Sequence, residues 1–175
     1  IGVVTSLGAA ALRDVVTALQ RRVPHLPVTI YPASVQGLQA PQEIEAALDL
    51  AYRRHSLGEC DVLMLVRGGG SLEDLWCFND ERVVQAIVRS PMPLVCGVGH
   101  ETDFPLADFA ADLRAPTPTA AAELCAPPQK QSLQELDALA QTLMQAIDGL
   151  LDLQAQRLDR VTQRLGRPSA RLHDC

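Results

Sequence analysis

Four unbroken apolar runs, each followed by a stretch with helical spacing, constrain this chain more than any other feature. The runs are Ile1–Thr5, Val28–Tyr31, Val62–Val66 and Leu94–Val98. They lack the apolar–polar alternation of a half-exposed strand, so each needs cover on both faces, as in a parallel sheet. Helical stripes separate them: Leu12, Val15, Val16, Leu19 and Val23; then Ile44, Ala47, Leu48 and Ala51 behind Pro41; then Val83, Ala86 and Ile87. Leu106, Phe109, Ala110 and Leu113 read as one more helix. Strands alternating with helices predict an α/β domain, an open Rossmann-like parallel sheet with flanking helices.

Thr117 and Pro118 read as the N-cap and first residue of a short helix through Leu124, broken by Pro127 and Pro128. The composition then shifts to Gln, Leu and Arg. Leu136, Ala140, Leu143, Ile147 and Leu150 alternate steps of four and three, and Leu158, Val161 and Leu165 resume the pattern. This spacing predicts a long amphipathic helix forming a coiled-coil arm, weakened at Gly149 and ended or kinked at Gly166-Arg167-Pro168. The competing reading is a helix packed on its own domain. Arg157, Arg160, Arg164, Arg167 and Arg171 fit a charged coiled-coil flank. The expected division is an α/β catalytic domain over 1–127 and the start of a helical arm over 128–175.

No apolar stretch approaches the roughly 18 residues of a membrane span, and no signal peptide is visible. The chain opens on Ile1, already strand-like, and is expected to be an excised piece of a longer protein. Cys60, Cys77, Cys96, Cys125 and Cys175 are odd in number and contain no C-x-x-C pair. They read as reduced thiols of a cytoplasmic protein. The net charge is −6, which argues against electrostatic gripping of a polyanion by this chain alone. Residues 1–127 carry nine arginines, no lysine and fifteen carboxylates, so the imbalance falls entirely on the α/β part.

In open parallel sheets, ligands bind outside the carboxyl ends of the strands. That rule gathers Thr5 and Ser6 after the first strand, Arg67 to Ser71 after the third, and Gly97 to Asp103 after the fourth. The run RGGGS places backbone N–H groups and a guanidinium where an anion can be held. Arg67, Gly68, Gly69, Gly70 and Ser71 are thus candidate phosphate-binding residues, with close strand–helix packing as the plain alternative for the glycines. No Gly-Lys-Ser/Thr follows to make a Walker A loop. Gly97 and Gly99 do not complete a dinucleotide fingerprint either, because Thr102 stands three residues beyond Gly99.

His100 at a strand end can serve as general acid or base near neutral pH. Asp103 can orient it, with helix capping as that residue's competing role. Asp14, beside Arg13 and off the apolar stripe, reads by spacing alone as a solvated helix residue. Glu73, Asp74, Asp80 and Glu81 read as capping or solvated carboxylates, and Trp76 and Phe78 as packing groups, with base stacking as the competing role.

The runs IGVVTS, RDV, VQG, CDVLMLVRGGGSLEDLWCFNDE and GVGHETDFPLADFAADLRAPTPTAAAE, followed by a long helical segment, closely resemble the exonuclease VII large-subunit family over essentially the whole chain. The resemblance implies an amino-terminal OB-fold domain, absent here, and an arm that recruits small subunits, shortened here. It implies hydrolysis of single-stranded DNA from both ends to oligonucleotides, with no obligatory divalent metal or other cofactor. The family's functional positions fall on Asp14, Arg67, His100 and Asp103. One departure is Leu7-Gly8 after Ser6, where the family usually carries proline.

Three rival readings remain open at this level. A metal-dependent nuclease would use Asp14 and Asp103 as ligands. A phosphosugar- or nucleotide-binding module would use the same glycines without chemistry. An assembly element would have the helical arm as its working part.

Overall fold

Unbroken apolar runs become a sheet whose three central strands are wholly buried. The structure, a computed structural model, describes residues 1–69, 72–98 and 104–165. Strands β1 (Gly2–Thr5), β2 (Thr29–Pro32), β3 (Leu63–Val66) and β4 (Leu94–Gly97) fall within or beside the four expected runs. A two-residue strand, β5 (Leu113–Arg114), joins them. All pairings are parallel and the order is β2-β1-β3-β4-β5.

The helices are α1 (Ala10–Arg22), α2 (Ala40–His55), α3 (Glu81–Val88), α4 (Leu106–Ala110) and α5 (Pro118–Cys125). A 3₁₀ helix spans Leu72–Asn79. Successive strand residues point to opposite faces, and two cores result. Val3, Met64, Val66 and Val95 pack with Leu12, Val15 and Leu19 of α1 and Ala121 and Ala122 of α5. Val4, Leu63, Leu65, Leu94 and Cys96 pack with Ile44 and Leu48 of α2, Val83 and Ile87 of α3, and Phe78.

Local chemistry sets several boundaries. Asp80 caps α3 by accepting from the Arg82 N–H at 2.9 Å, and Thr117 caps α5 by accepting from Ala120 at 3.1 Å. Gly97 lets α5 lie close on β4: a Cβ there would stand 3.0 Å from Ala121 Cβ and 3.3 Å from the Thr117 carbonyl oxygen. Arg22 ties α1 to α5, donating to the Ala126 carbonyl at 2.9 Å while pairing with Glu123 at 3.3 Å.

The stripe Leu106, Phe109, Ala110 and Leu113 is not one helix face. Helix α4 ends at Ala110, its buried residues are Ala107 and Asp108, and Leu106 and Phe109 are exposed. The reason is the open edge of β4. Leu94 donates to the Asp112 carboxylate at 2.8 Å and accepts from the Asp112 N–H at 3.1 Å, drawing the chain into β5. Trp76 also departs from its expected packing role, being 75% exposed, whereas Phe78 is fully buried.

The chain forms two compact units, Ile1–Gln129 and Lys130–Cys175. Most of the second is one helix, α6 (Gln129–Leu165), which runs through Gly149 without a break. Its apolar positions, Leu136, Leu143, Ile147 and Leu150 among them, are exposed. The expected stop at Gly166-Arg167-Pro168 lies outside the described residues.

Tyr52 locks α2 to α3 by donating its hydroxyl to the Ala86 carbonyl at 2.7 Å. Burial pushes its pKa up to about 12 from an ordinary 10.0. The unfolded chain therefore ionises first. Tyr52's contribution is complete below pH 10 and lost as pH rises toward 12. Burial raises Tyr31 further still, with Cys60 and Glu59 adding to the shift. Denaturant melts should show stability falling across that alkaline window, and Tyr52→Phe should flatten the fall. Phe78→Ala should cost about 3–5 kcal/mol in the same melts, against less than about 0.5 kcal/mol for the exposed Trp76→Ala.

Candidate functional site

Strand order decides where a ligand can sit. β1 is flanked by β2 on one side and β3 on the other, so the chain's course across the sheet reverses there. At such a switch point the connections leaving adjacent strands go to opposite faces, opening a crevice at their carboxyl ends. Here β1 leads to α1 on one face, while β3 leads to the 3₁₀ helix and α3 on the other. The crevice is bounded by Thr5 and Ser6 on one side and Arg67 and Gly68 on the other.

Two features make this crevice suited to an anion. Helix α1 begins at Ala10 with Ala9 as N-cap, and no side chain caps it. Its first-turn N–H groups and the positive end of its dipole thus face the strand ends. Gly68 lies against this turn, where a Cβ would stand 3.5 Å from the Ala11 nitrogen and 3.6 Å from Ala11 Cβ. Gly69 is exposed beside it. Peptide groups of the glycine run and of the α1 terminus are therefore neighbours.

Arg67 is placed differently from a simple exposed phosphate clamp. It is only 4% exposed, and its N–H donates to the Gly97 carbonyl at 3.3 Å, prolonging the β3–β4 ladder. Thr5 is wholly buried at the end of β1, and its hydroxyl oxygen has no hydrogen-bond partner among the described residues. Leaving such a group unpaired costs about 1–3 kcal/mol. A polar cavity of about 500 Å³, lined by Ser6, Gly8, Ala9, Ser34, Val35 and Gln36, opens between the β1–α1 and β2–α2 turns.

The other sequence candidates divide. Asp14 is exposed on α1, one turn beyond Ala10, about 6 Å along the helix axis. Gly70, Ser71, His100 and Asp103 lie outside the described residues. β3 and β4 pair in parallel as far as Val66 opposite Gly97, and the described residues run on to Gly69 after β3 and to Val98 after β4.

Periodicity missed a second polar cluster at this edge. Arg114 of β5 donates through Nε to Asp108 Oδ2 at 2.9 Å, and its guanidinium lies 4.0 Å from the centre of the Phe104 ring. Asp108 is 6% exposed and its Oδ1 has no hydrogen-bond partner. Burial, reinforced by this carboxylate, pushes the Cys96 thiol well above its ordinary value. That excludes Cys96 as a ready nucleophile. Cys60, Cys77, Cys96 and Cys125 are all free thiols. The sequence signal for the cluster was slight: an arginine directly after Asp112 and Leu113.

Comparison with known proteins places this geometry in context. A family profile described as "Exonuclease VII, large subunit" matches residues 1–175. The chain is 57% identical over 172 residues to a protein of Thiobacillus denitrificans called exodeoxyribonuclease 7 large subunit, covering 98% of this chain and 38% of that protein. Proteins of the same name from Nitrosomonas eutropha and Bordetella avium are 53% and 54% identical, covering 98% and 100% of this chain and 38% of each relative. The chain thus spans well under half the length of these curated relatives.

Arg114→Ala would leave the Asp108 carboxylate buried without its cation. We expect a loss of roughly 3 kcal/mol, with Asp108→Asn added to the same variant restoring part of it. Denaturant midpoints of the single and double variants measure both effects.

Proposed function

This chain belongs to the exonuclease VII large-subunit family, and on that premise we propose that it carries the hydrolytic centre of an exodeoxyribonuclease acting on single-stranded DNA. The reading takes residues 1–127 as a Rossmann-like catalytic domain and 128–175 as the start of a coiled-coil arm that recruits small subunits. The enzyme would shorten strands from both ends to oligonucleotides, in the cytoplasm. No helix among the described residues is long and apolar enough to cross a membrane.

One observation supports the reading most directly: Gly68, beside the buried Arg67, lies against the uncapped first turn of α1 at the switch point of the sheet. A phosphodiester held there would meet peptide N–H groups from two segments, with Arg67 next to Gly68 in the chain. Gly70 and Ser71 extend the same run in sequence. As water attacks phosphorus, charge grows on the non-bridging oxygens, and donors already in place stabilise it without reorganisation.

The remaining work is proton movement. Water must lose a proton as the new P–O bond forms, and the departing sugar oxygen must gain one as the old bond breaks. His100, directly after Gly99 in sequence, is assigned that transfer, with Asp103 orienting its ring. Asp14, one turn into α1, is assigned the positioning of water. On this scheme a divalent metal is not obligatory.

The test is cleavage of single- and double-stranded DNA by the full-length large subunit assembled with its small subunit, in excess chelator. Single strands should be shortened and duplexes spared. Arg67→Ala should lower turnover by about 100-fold or more, and His100→Ala should abolish it. Activity that disappears with chelator and returns with a divalent cation would replace this scheme with a metal-dependent one. Stabilisation by a mononucleotide, with single strands left intact, would favour a binding module.

A further inference from the structure

Aromatic residues make up only 3% of this chain, so the position of each is informative. Tyr31 and Phe78 are buried, and Phe104 is covered by Arg114 and by Phe109, whose ring centre lies 6.2 Å away. Trp76 is 75% exposed, and no ring or cation contacts it among the described residues. Leu38, wholly exposed, lines the same pocket. Gly37, in the left-handed region at φ +89°, immediately precedes it and shapes the turn that carries it. With Pro41, Cys77 and Asp80 these residues line an open pocket of about 350 Å³. Large apolar groups displayed around a concavity mark a binding surface.

Place and charge narrow the occupant. The pocket lies between the β2–α2 turn and the 3₁₀ helix that follows β3, hence beside the carboxyl edge of the sheet. The same β2–α2 turn walls the polar cavity through Ser34, Val35 and Gln36. β2 and β3 are separated only by β1, roughly 10 Å at two strand spacings. Residues 1–127 carry fifteen carboxylates against nine arginines, so attraction of phosphates by net charge is excluded. Within these residues, affinity for a strand falls to peptide donors at the phosphate and to neutral contact elsewhere. Asp80 at the rim repels a phosphate and so directs the backbone toward Gly68, with the base turned inward.

We propose that this pocket takes an unpaired nucleobase of the single-stranded substrate, stacked on the Trp76 indole and edged by Leu38 and Pro41. The proposal rests on the nuclease reading above and adds a positioning contact to it. Every base offers a π-face, so the contact is indifferent to sequence. A base paired within a duplex cannot enter, so the pocket also selects for single strands.

The test uses the full-length, assembled enzyme with two substrates of equal length, oligothymidylate and an oligomer with abasic sites flanking the cleaved bond. Trp76→Ala should raise KM for oligothymidylate about 5- to 100-fold, leave kcat near normal and leave KM for the abasic oligomer unchanged. Trp76→Phe should retain most of the affinity. The tryptophan fluorescence lost between wild type and Trp76→Phe should be quenched by oligothymidylate and not by the abasic strand. Cleavage with equal KM values for wild type and Trp76→Ala, or without base-dependent quenching, overturns the stacking role. So does loss of subunit assembly in Trp76→Ala, which would make the patch a protein interface. Base-dependent quenching without cleavage by the wild type supports the stacking role and sinks the nuclease reading alone.

Discussion

Parallel pairing of β1 with both β2 and β3 is the constraint on which the rest of this molecule depends. All five strands then deliver their following segments to one edge, and the reversal of direction at β1 parts α1 from the elements after β3. The result is a crevice floored by strand ends and walled by a helix N-terminus. Neither the glycine run nor the α1 terminus is distinctive alone. Their juxtaposition, so close that a Cβ at Gly68 would stand 3.5 Å from the Ala11 nitrogen, suits the edge to an anion.

An acidic domain assigned to a polyanionic substrate poses an electrostatic problem that the fold answers locally. Peptide N–H groups carry partial positive charge that no count of side chains registers. Arg67, 4% exposed, adds a full charge held inside the domain. The Asp108–Arg114 pair shows the same economy, a buried carboxylate anchoring an arginine against Phe104. The stacking role proposed for Trp76 would extend the principle to the neutral part of a bound strand.

Some of this was legible in the sequence and some was not. The four apolar runs and three helical stripes led to β1–β4 and α1–α3 because burial on both faces demands continuous apolar residues. Thr117 and Asp80 could be anticipated as caps because their chemistry is local. The stretch from Leu106 to Leu113 misled because two structures shared it: a short helix took its first half, and the unpaired edge of β4 recruited its second. The hydrogen bonds between Asp112 and Leu94 connect residues 18 positions apart, and no periodicity encodes them. Trp76 and Phe78 looked alike as packing groups, two residues apart. Only the orientation of the 3₁₀ helix sent one into the core and the other to the surface.

By itself the sequence determined the class of fold, the identity of the strands, the segments that would meet at their carboxyl ends, and the family to which the chain belongs. These follow from residue type and spacing, which act over a few positions along the chain. Tertiary structure decided the strand order, the depth of Arg67, the contact of Gly68 with α1, the pairing of Asp108 with Arg114 and the exposure of Trp76. Each of these depends on which distant segments pack together, and packing is settled by the whole core at once.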